Sequence, residues 1–328
     1  MKDLLVCIGE ALIDFIPLKK GIELKEVPQF ERAAGGAPAN VAAAVAKLSG
    51  NSAMLTKLGA DAFGDYIVDT LSRAGVDTSH ILRTEKANTA LAFVSLSENG
   101  NRTFSFYRNP SADLLLSPSE LDEALLQSCA ILHYGSVDLV ESPMKEAHRA
   151  AIAVAKKSGA VISFDPNVRL PLWQTPSACR EAILEFLPFA DVVKVSDEEL
   201  SFIFGTDAPR TAADMLFENG CKVFLYTKGA EGAELYTKDF MVASPCVEVP
   251  VFDTTGAGDS FMAAFLYQLL ELGVSRQTLG ALSADDCRRM ADFSCAYAAY
   301  TTMGKGAIDA MADREQFEAF YKEKRGCL

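Results

Sequence analysis

Short apolar runs alternate along this chain with longer stretches in which apolar residues recur at helical spacing. Residues 4–8, 130–134, 160–164, 192–195 and 222–226 are nearly continuous in apolar side chains. That is the signature of strands covered on both faces in a parallel sheet with crossover helices. The pattern predicts an α/β fold: a central, mostly parallel β-sheet flanked by helices. Ligands of such sheets bind beyond the carboxyl ends of the strands. Asp165-Pro166-Asn167, Ser196 and Thr227-Lys228-Gly229 are therefore site candidates by position. The alanine-rich stretch after Gly36-Ala37-Pro38 reads as a helix to Leu48, with proline and Asn40 in its first turn and Gly50 as its stop.

One segment breaks the alternation. Residues 89–96 and 103–108 have strand character and flank a stretch containing Asn99-Gly100, a pair typical of tight hairpins. With a side-chain period of two, Phe104, Phe106 and Arg108 share a face, so a guanidinium ends an apolar stripe. Residues from about 16 to 30 could add strands beside this hairpin. The expectation is one domain over 1–328, with a small β-sheet lid formed by about 14–32 and 88–110. That sheet would serve as a lid, as a contact for a homodimer, or as both.

Composition narrows the chemistry. The chain has 328 residues, 49% hydrophobic, enough for a full core. Its 31 basic and 44 acidic residues leave a net charge of −13, which disfavours nucleic-acid and anionic-membrane partners. No run reaches the roughly 18 apolar residues of a membrane span, and no signal peptide is evident, so a cytoplasmic protein is expected. Eight cysteines form no CxxC pair, and three histidines form no ligand cluster.

The stretch Asp253-Thr254-Thr255-Gly256-Ala257-Gly258-Asp259, followed by an apolar run, is a small-residue turn opening a helix. Glycines allow close backbone approach to an anion, and the free N–H groups of a first helical turn attract negative charge. A carboxylate at that position suits a base that takes a proton from an attacking hydroxyl. It also suits an ordinary acidic helix start.

Gly35-Gly36-Ala37-Pro38-Ala39-Asn40-Val41-Ala42 and residues 253–259 together resemble the two signature segments of the ribokinase-like (PfkB) sugar kinases. Further similarity to the fructokinase subgroup runs through residues 9–15, 106–113, 133–136 and 165–169. The resemblance spans nearly the whole chain. It implies transfer of the ATP γ-phosphoryl group to a sugar primary hydroxyl, with D-fructose as the expected substrate. Asp259 would be the base, and the N–H groups of Gly256, Ala257, Gly258 and Asp259 the anion hole. Asp14, Gly35, Gly36 and Asn40 would bind sugar hydroxyls, and Arg108 would close over the ligand. Arg169 would either face the reacting phosphate or pair with Asp165.

For the nucleotide, the resemblance points to Thr227, Lys228, Gly229 and Gly232. Ser196 and Glu199 match an Asn-x-x-Glu pattern with Ser in place of Asn, and they also form a capping box. Mg²⁺ would accompany ATP. Activation by K⁺ is implied as well, through oxygens of Asp253 and Thr255 and of a second loop at Thr301, Gly304, Gly306 and Ala310. That loop also reads as a plain glycine-rich connection. Other substrates within the family are a riboside and 2-keto-3-deoxygluconate. A catalytically inactive sensing relative would be expected to lose Asp259 or the glycines, which are present here. A dinucleotide oxidoreductase would need a GxGxxG turn after the first strand, which is absent.

Overall fold

The computed structural model describes residues 2–19, 21–96 and 102–326, with the backbone alone described at residue 96 and residues 102–104. The chain opens with β1 (Leu4–Ile8), enters β2 (Leu12–Pro17), and returns along β3 (Phe30–Gly35) into α1 (Ala37–Lys47). β4 (Asn51–Leu55), β5 (Lys57–Gly59), α2 (Ala62–Arg73) and β6 (Leu82–Thr84) follow, then β7 (Leu91–Leu96) and β8 (Arg102–Tyr107). After α3 (Glu123–Ser128) come β9 (Ile131–Tyr134), α4 (Pro143–Lys157), β10 (Val161–Phe164) and α5 (Pro176–Phe186). β11 (Val192–Ser196), α6 (Asp197–Phe204), α7 (Pro209–Glu218) and β12 (Val223–Thr227) continue the alternation. β13 (Ala233–Tyr236) and β14 (Met241–Ser244) precede α8 (Ala257–Glu271), α9 (Ala284–Thr301) and α10 (Arg314–Arg325).

Among the described residues the main sheet has eight strands in the order β14-β13-β12-β11-β10-β9-β1-β4. Pairing is parallel from β4 to β12 and antiparallel for β13 and β14. The expected apolar runs form its centre. Their alternate residues feed two cores: Leu5 and Cys7 of β1 join the α1–α8–α9 side, and Val6 and Ile8 the α4–α5–α6 side. β4 escapes recognition in the sequence because it starts with Asn51 and Ser52, yet Ser52 is buried and its hydroxyl donates to Ala42 O at 2.8 Å.

α1 starts as expected, with proline in its first turn. Its stop differs from the expectation. Ser49, at φ 70°, is the left-handed residue beyond the C-cap. Gly50 instead fills a tight place, where a Cβ would lie 2.8 Å from Val45 Cγ1 and 3.0 Å from Tyr267 Cδ2.

The small sheet has the order β3-β2-β7-β8. β7 and β8 pair antiparallel, as a hairpin requires; the Asn99-Gly100 turn itself lies outside the described residues, as does the Phe104 side chain. The neighbouring strands lie at either end of the 16–30 segment rather than within it. The chain leaves the main sheet at Gly9, whose φ of 148° places it against Pro38, and β2 begins only three residues later at Leu12. On the inner face, Leu12, Ala90 and Ala92 cluster with Phe106. On the outer face, Phe15 stacks on Phe93 at 4.8 Å and meets Phe63 of α2 edge-on at 5.7 Å.

Candidate active site

Helix α8 begins at Gly256, a left-handed N-cap at φ 75°, where a Cβ would lie 2.7 Å from Ala307 Cβ. Only glycine satisfies both the dihedral and the space. The first helical bond runs from Ser260 N–H to Gly256 O at 2.8 Å. The N–H groups of Gly258 and Asp259 come before it and carry the positive end of the helix. Ala257 differs from the expected anion hole, because its N–H already donates to Thr254 O at 3.3 Å.

Asp259 is buried in that first turn. Its Oδ2 accepts from Asn40 Nδ2 at 2.7 Å, and its Oδ1 from Asn167 Nδ2 at 3.4 Å. Asn167 holds its amide there from a left-handed backbone at φ 49°, a conformation asparagine tolerates better than most residues. Burial raises the Asp259 pKa above the usual carboxylate value, while Asn40, Lys194 and Arg169 favour the charged form and limit the rise.

A cavity of about 210 Å³ opens over Asp259, with Asp14, Gly36, Asn40, Phe106 and Arg169 among its walls. The absence of a side chain at Gly35 makes room for Asp14, since a Cβ there would lie 2.3 Å from Asp14 Oδ2. A second cavity, of about 340 Å³, is walled by Ser196, Glu199, Thr227, Gly229 and Gly232. The two cavities share Asn167, Arg169, Lys194 and Gly258. Two cations and the first turn of a helix thus stand where the cavities meet, beside a buried carboxylate. This arrangement accommodates an anionic group passing between two ligands.

Lys194 is the site residue that positional reasoning passed over. It is buried in β11, and its Nζ pairs with Asp165 Oδ2 at 2.6 Å. Burial alone would lower its pKa, but Asp165, Glu199 and Asp259 together raise it. A single lysine between Val193 and Val195 was the available signal, because an unpaired charge in a central strand is costly. The same pair bears on Arg169: Asp165 has Lys194 as an ion-pair partner, and Arg169 lines both cavities.

Two expected cations stand elsewhere. The Arg108 guanidinium is buried in ion pairs with Asp113 and Asp138 and is not part of the cavity wall. Those carboxylates lie five residues downstream and in the loop after β9, and they take the guanidinium that would otherwise face the sugar side. Lys228 likewise pairs with Glu234 of β13 at 2.7 Å, while its neighbours Thr227 and Gly229 do line the second cavity.

Ser196 and Glu199 form the capping box that opens α6. The second Glu199 oxygen accepts from Val168 N–H at 2.6 Å, which fastens the 165–169 loop to this helix. Glu10, within the 9–15 segment, is buried on the wall of the first cavity. Its Oε1 accepts from Ala37 N–H at 2.9 Å. Burial pushes its carboxyl up to about 7 despite the pull of Arg108.

The two segments expected around a monovalent cation do meet. Asp253 Oδ2 accepts from Gly306 N–H at 3.0 Å, and Asp253 N–H donates to Thr302 O at 3.1 Å. The Thr301 hydroxyl turns instead to Ser260 and to Tyr297 O. Gly304 is pressed against Ala310, whose Cβ would lie 2.7 Å from an added one. Among the described residues no group of three or more His, Cys, Asp or Glu is arranged to hold a metal ion.

The model of the pfkB family of carbohydrate kinases matches residues 2–314. The chain belongs to that family. It is 45% identical over 311 residues to fructokinase-2 of Solanum habrochaites, covering 94% of this chain and 93% of the relative. The crystal structure of a Xylella fastidiosa fructokinase with bound ATP superposes with a TM-score of 0.89 at 33% identity, covering 98% of this chain and 99% of that one. A double-mutant Vibrio cholerae fructokinase, in a form bound to fructose, ADP and a potassium ion, gives 0.85 at 31% identity, covering 97% and 98%.

Proposed function

We propose that this protein is an ATP-dependent fructokinase, which transfers the γ-phosphoryl group of ATP to the 6-hydroxyl of D-fructose. The observation that carries the reading is the junction of the two cavities at Asn167, Arg169, Lys194 and Gly258, next to buried Asp259.

In this reading the sugar occupies the cavity of Asp14, Gly36 and Asn40, and the nucleotide that of Thr227, Gly229 and Gly232. Asp259 orients the attacking hydroxyl and accepts its proton as the bond to the γ-phosphorus forms, while the bond from that phosphorus to the β,γ-bridging oxygen breaks and ADP leaves. The N–H groups of Gly258 and Asp259, with Lys194 and Arg169, stabilise the charge on the transferring group. Positioning and electrostatics of this kind dominate phosphoryl transfer. Magnesium, when bound with the nucleotide, would neutralise phosphate charge, and Glu199, on the wall of the second cavity, would help to hold it. A potassium ion suits the carbonyl oxygens of the Asp253–Thr255 turn and the 301–310 loop, where it would brace the backbone ahead of α8.

The inner face of the small sheet contributes Asp14 and Phe106 to the sugar side, which supports its reading as a lid. Its outer face, with Phe15, Phe30, Phe93 and exposed Tyr107, supports pairing with a second copy. The test is ADP release from ATP, Mg²⁺ and K⁺ with fructose, ribose, adenosine, aminoimidazole riboside and 2-keto-3-deoxygluconate. Fructose is expected to give the highest kcat/KM. Turnover confined to another sugar would overturn the substrate, and no turnover by folded, ATP-binding protein would overturn the enzyme.

A further inference from the structure

The wall of the sugar-side cavity contains a carboxyl group that the transfer chemistry leaves without a task. Glu10 is 3% exposed, and Oε1 is fixed by the N–H of Ala37, the first residue of α1. Its other oxygen, Oε2, is buried with no hydrogen-bond partner among the described residues. Asn40, one helical turn along α1, lines the same cavity, and its Oδ1 is also buried without a partner while its amide serves Asp259. Buried polar atoms left unmatched cost on the order of 1–3 kcal/mol each. Both residues line the same cavity, and the hydroxyl groups of a bound ligand would supply the partners that the described residues do not.

Arg108 draws Glu10 toward its charged form without bonding to Oε2. Arg108, the cation nearest to it in effect, is committed to Asp113 and Asp138, and Asp113 also takes the Ser111 hydroxyl. Three buried carboxyl groups thus surround one guanidinium. Glu10 is the member of this group that reaches the cavity wall.

We propose that Glu10 is a specificity-determining residue that accepts a hydrogen bond from a sugar hydroxyl other than the one phosphorylated. The inference rests on the sugar-kinase reading of this cavity. One oxygen of Glu10 positions the start of α1, and the other reads the sugar. A site built to bond a hydroxyl rejects analogues that lack it far more strongly than an apolar pocket does.

The test compares wild type with Glu10→Gln across fructose and its monodeoxy analogues. Glutamine keeps an oxygen for the Ala37 N–H but places an NH₂ where the accepting oxygen stood. The variant is expected to raise the fructose KM roughly 10- to 100-fold, with the ATP KM and melting temperature near wild type. For one deoxy analogue the two enzymes should converge, which identifies the hydroxyl that Glu10 contacts. An unchanged fructose KM, or a penalty of equal size for every analogue, would overturn the proposal. Glu10→Leu, which removes both oxygens, guards against a purely positioning role: a fall in kcat and melting temperature there, with Glu10→Gln at wild type, also overturns it. Should wild type turn over a different sugar, the sugar assignment fails first, and the same comparison is run on that sugar's deoxy series.

Discussion

Asn40 Nδ2 donates to Asp259 Oδ2 at 2.7 Å, joining two residues 219 positions apart. The bond ties the first turn of α1 to the first turn of α8, so the glycine pair before one helix and the glycine turn before the other are fixed relative to each other. It also favours the charged form of a carboxylate that burial pushes toward neutrality.

Replacing the carboxylate tests its role directly. Asp259→Asn keeps the shape and should still fold and bind both substrates, while kcat falls about 10²-fold or more. Steady-state kinetics beside calorimetric titration of ATP and fructose measure this. A kcat within a few-fold of wild type would remove Asp259 as the base.

The pH profile follows from the raised pKa. A base acts when ionised, so activity is present above the folded-state pKa of Asp259 and is lost as pH falls through it. The acid limb of kcat is therefore expected above the usual aspartate value of about 3.9. In Asn40→Ala the hydrogen bond that favours ionisation is gone, and the limb should move to higher pH, with activity partly restored by alkaline buffer. A limb that stays in place would show that Asn40 acts on the sugar alone.

Lys194 and Asp165 form a buried pair at 2.6 Å. Lys194→Met should destabilise the protein by about 3–5 kcal/mol, because it strands a buried charge. Adding Asp165→Asn should restore most of that stability but none of the lost kcat. Urea denaturation of the single and double variants separates the two effects. If the double variant regains activity, Lys194 contributes only structure.

Gly256→Ala places a methyl group against Ala307 at a left-handed N-cap. A loss of about 1–3 kcal/mol is expected from the backbone strain. The fall in kcat should exceed any rise in either KM, since the displaced N–H groups act on developing charge. Thermal melts and kinetics of this one variant test both.

The central strands were legible because burial on both faces leaves a continuous apolar run, which periodicity detects. β4 was not, because its polar start is matched by a hydroxyl bond to Ala42 that only folding creates. Gly50 departs from its expected role as a helix stop for a related reason: glycine there answers crowding by Val45 and Tyr267 rather than a turn, and Ser49 takes the left-handed conformation.

The order of residues by itself determined the α/β plan, the hairpin strands and the two glycine segments, since these depend on local period and on residues whose backbone freedom is unusual. The family resemblance carried by those segments named Asp14, Asn40 and Asp259, and all three line the first cavity. Only the tertiary structure decided which charges face the cavities. Arg108 and Lys228 are drawn to Asp113, Asp138 and Glu234, while Lys194 and Glu10 stand on the cavity walls. A buried charge settles against the partner that folding brings near, and that partner's distance along the chain carries no local signal.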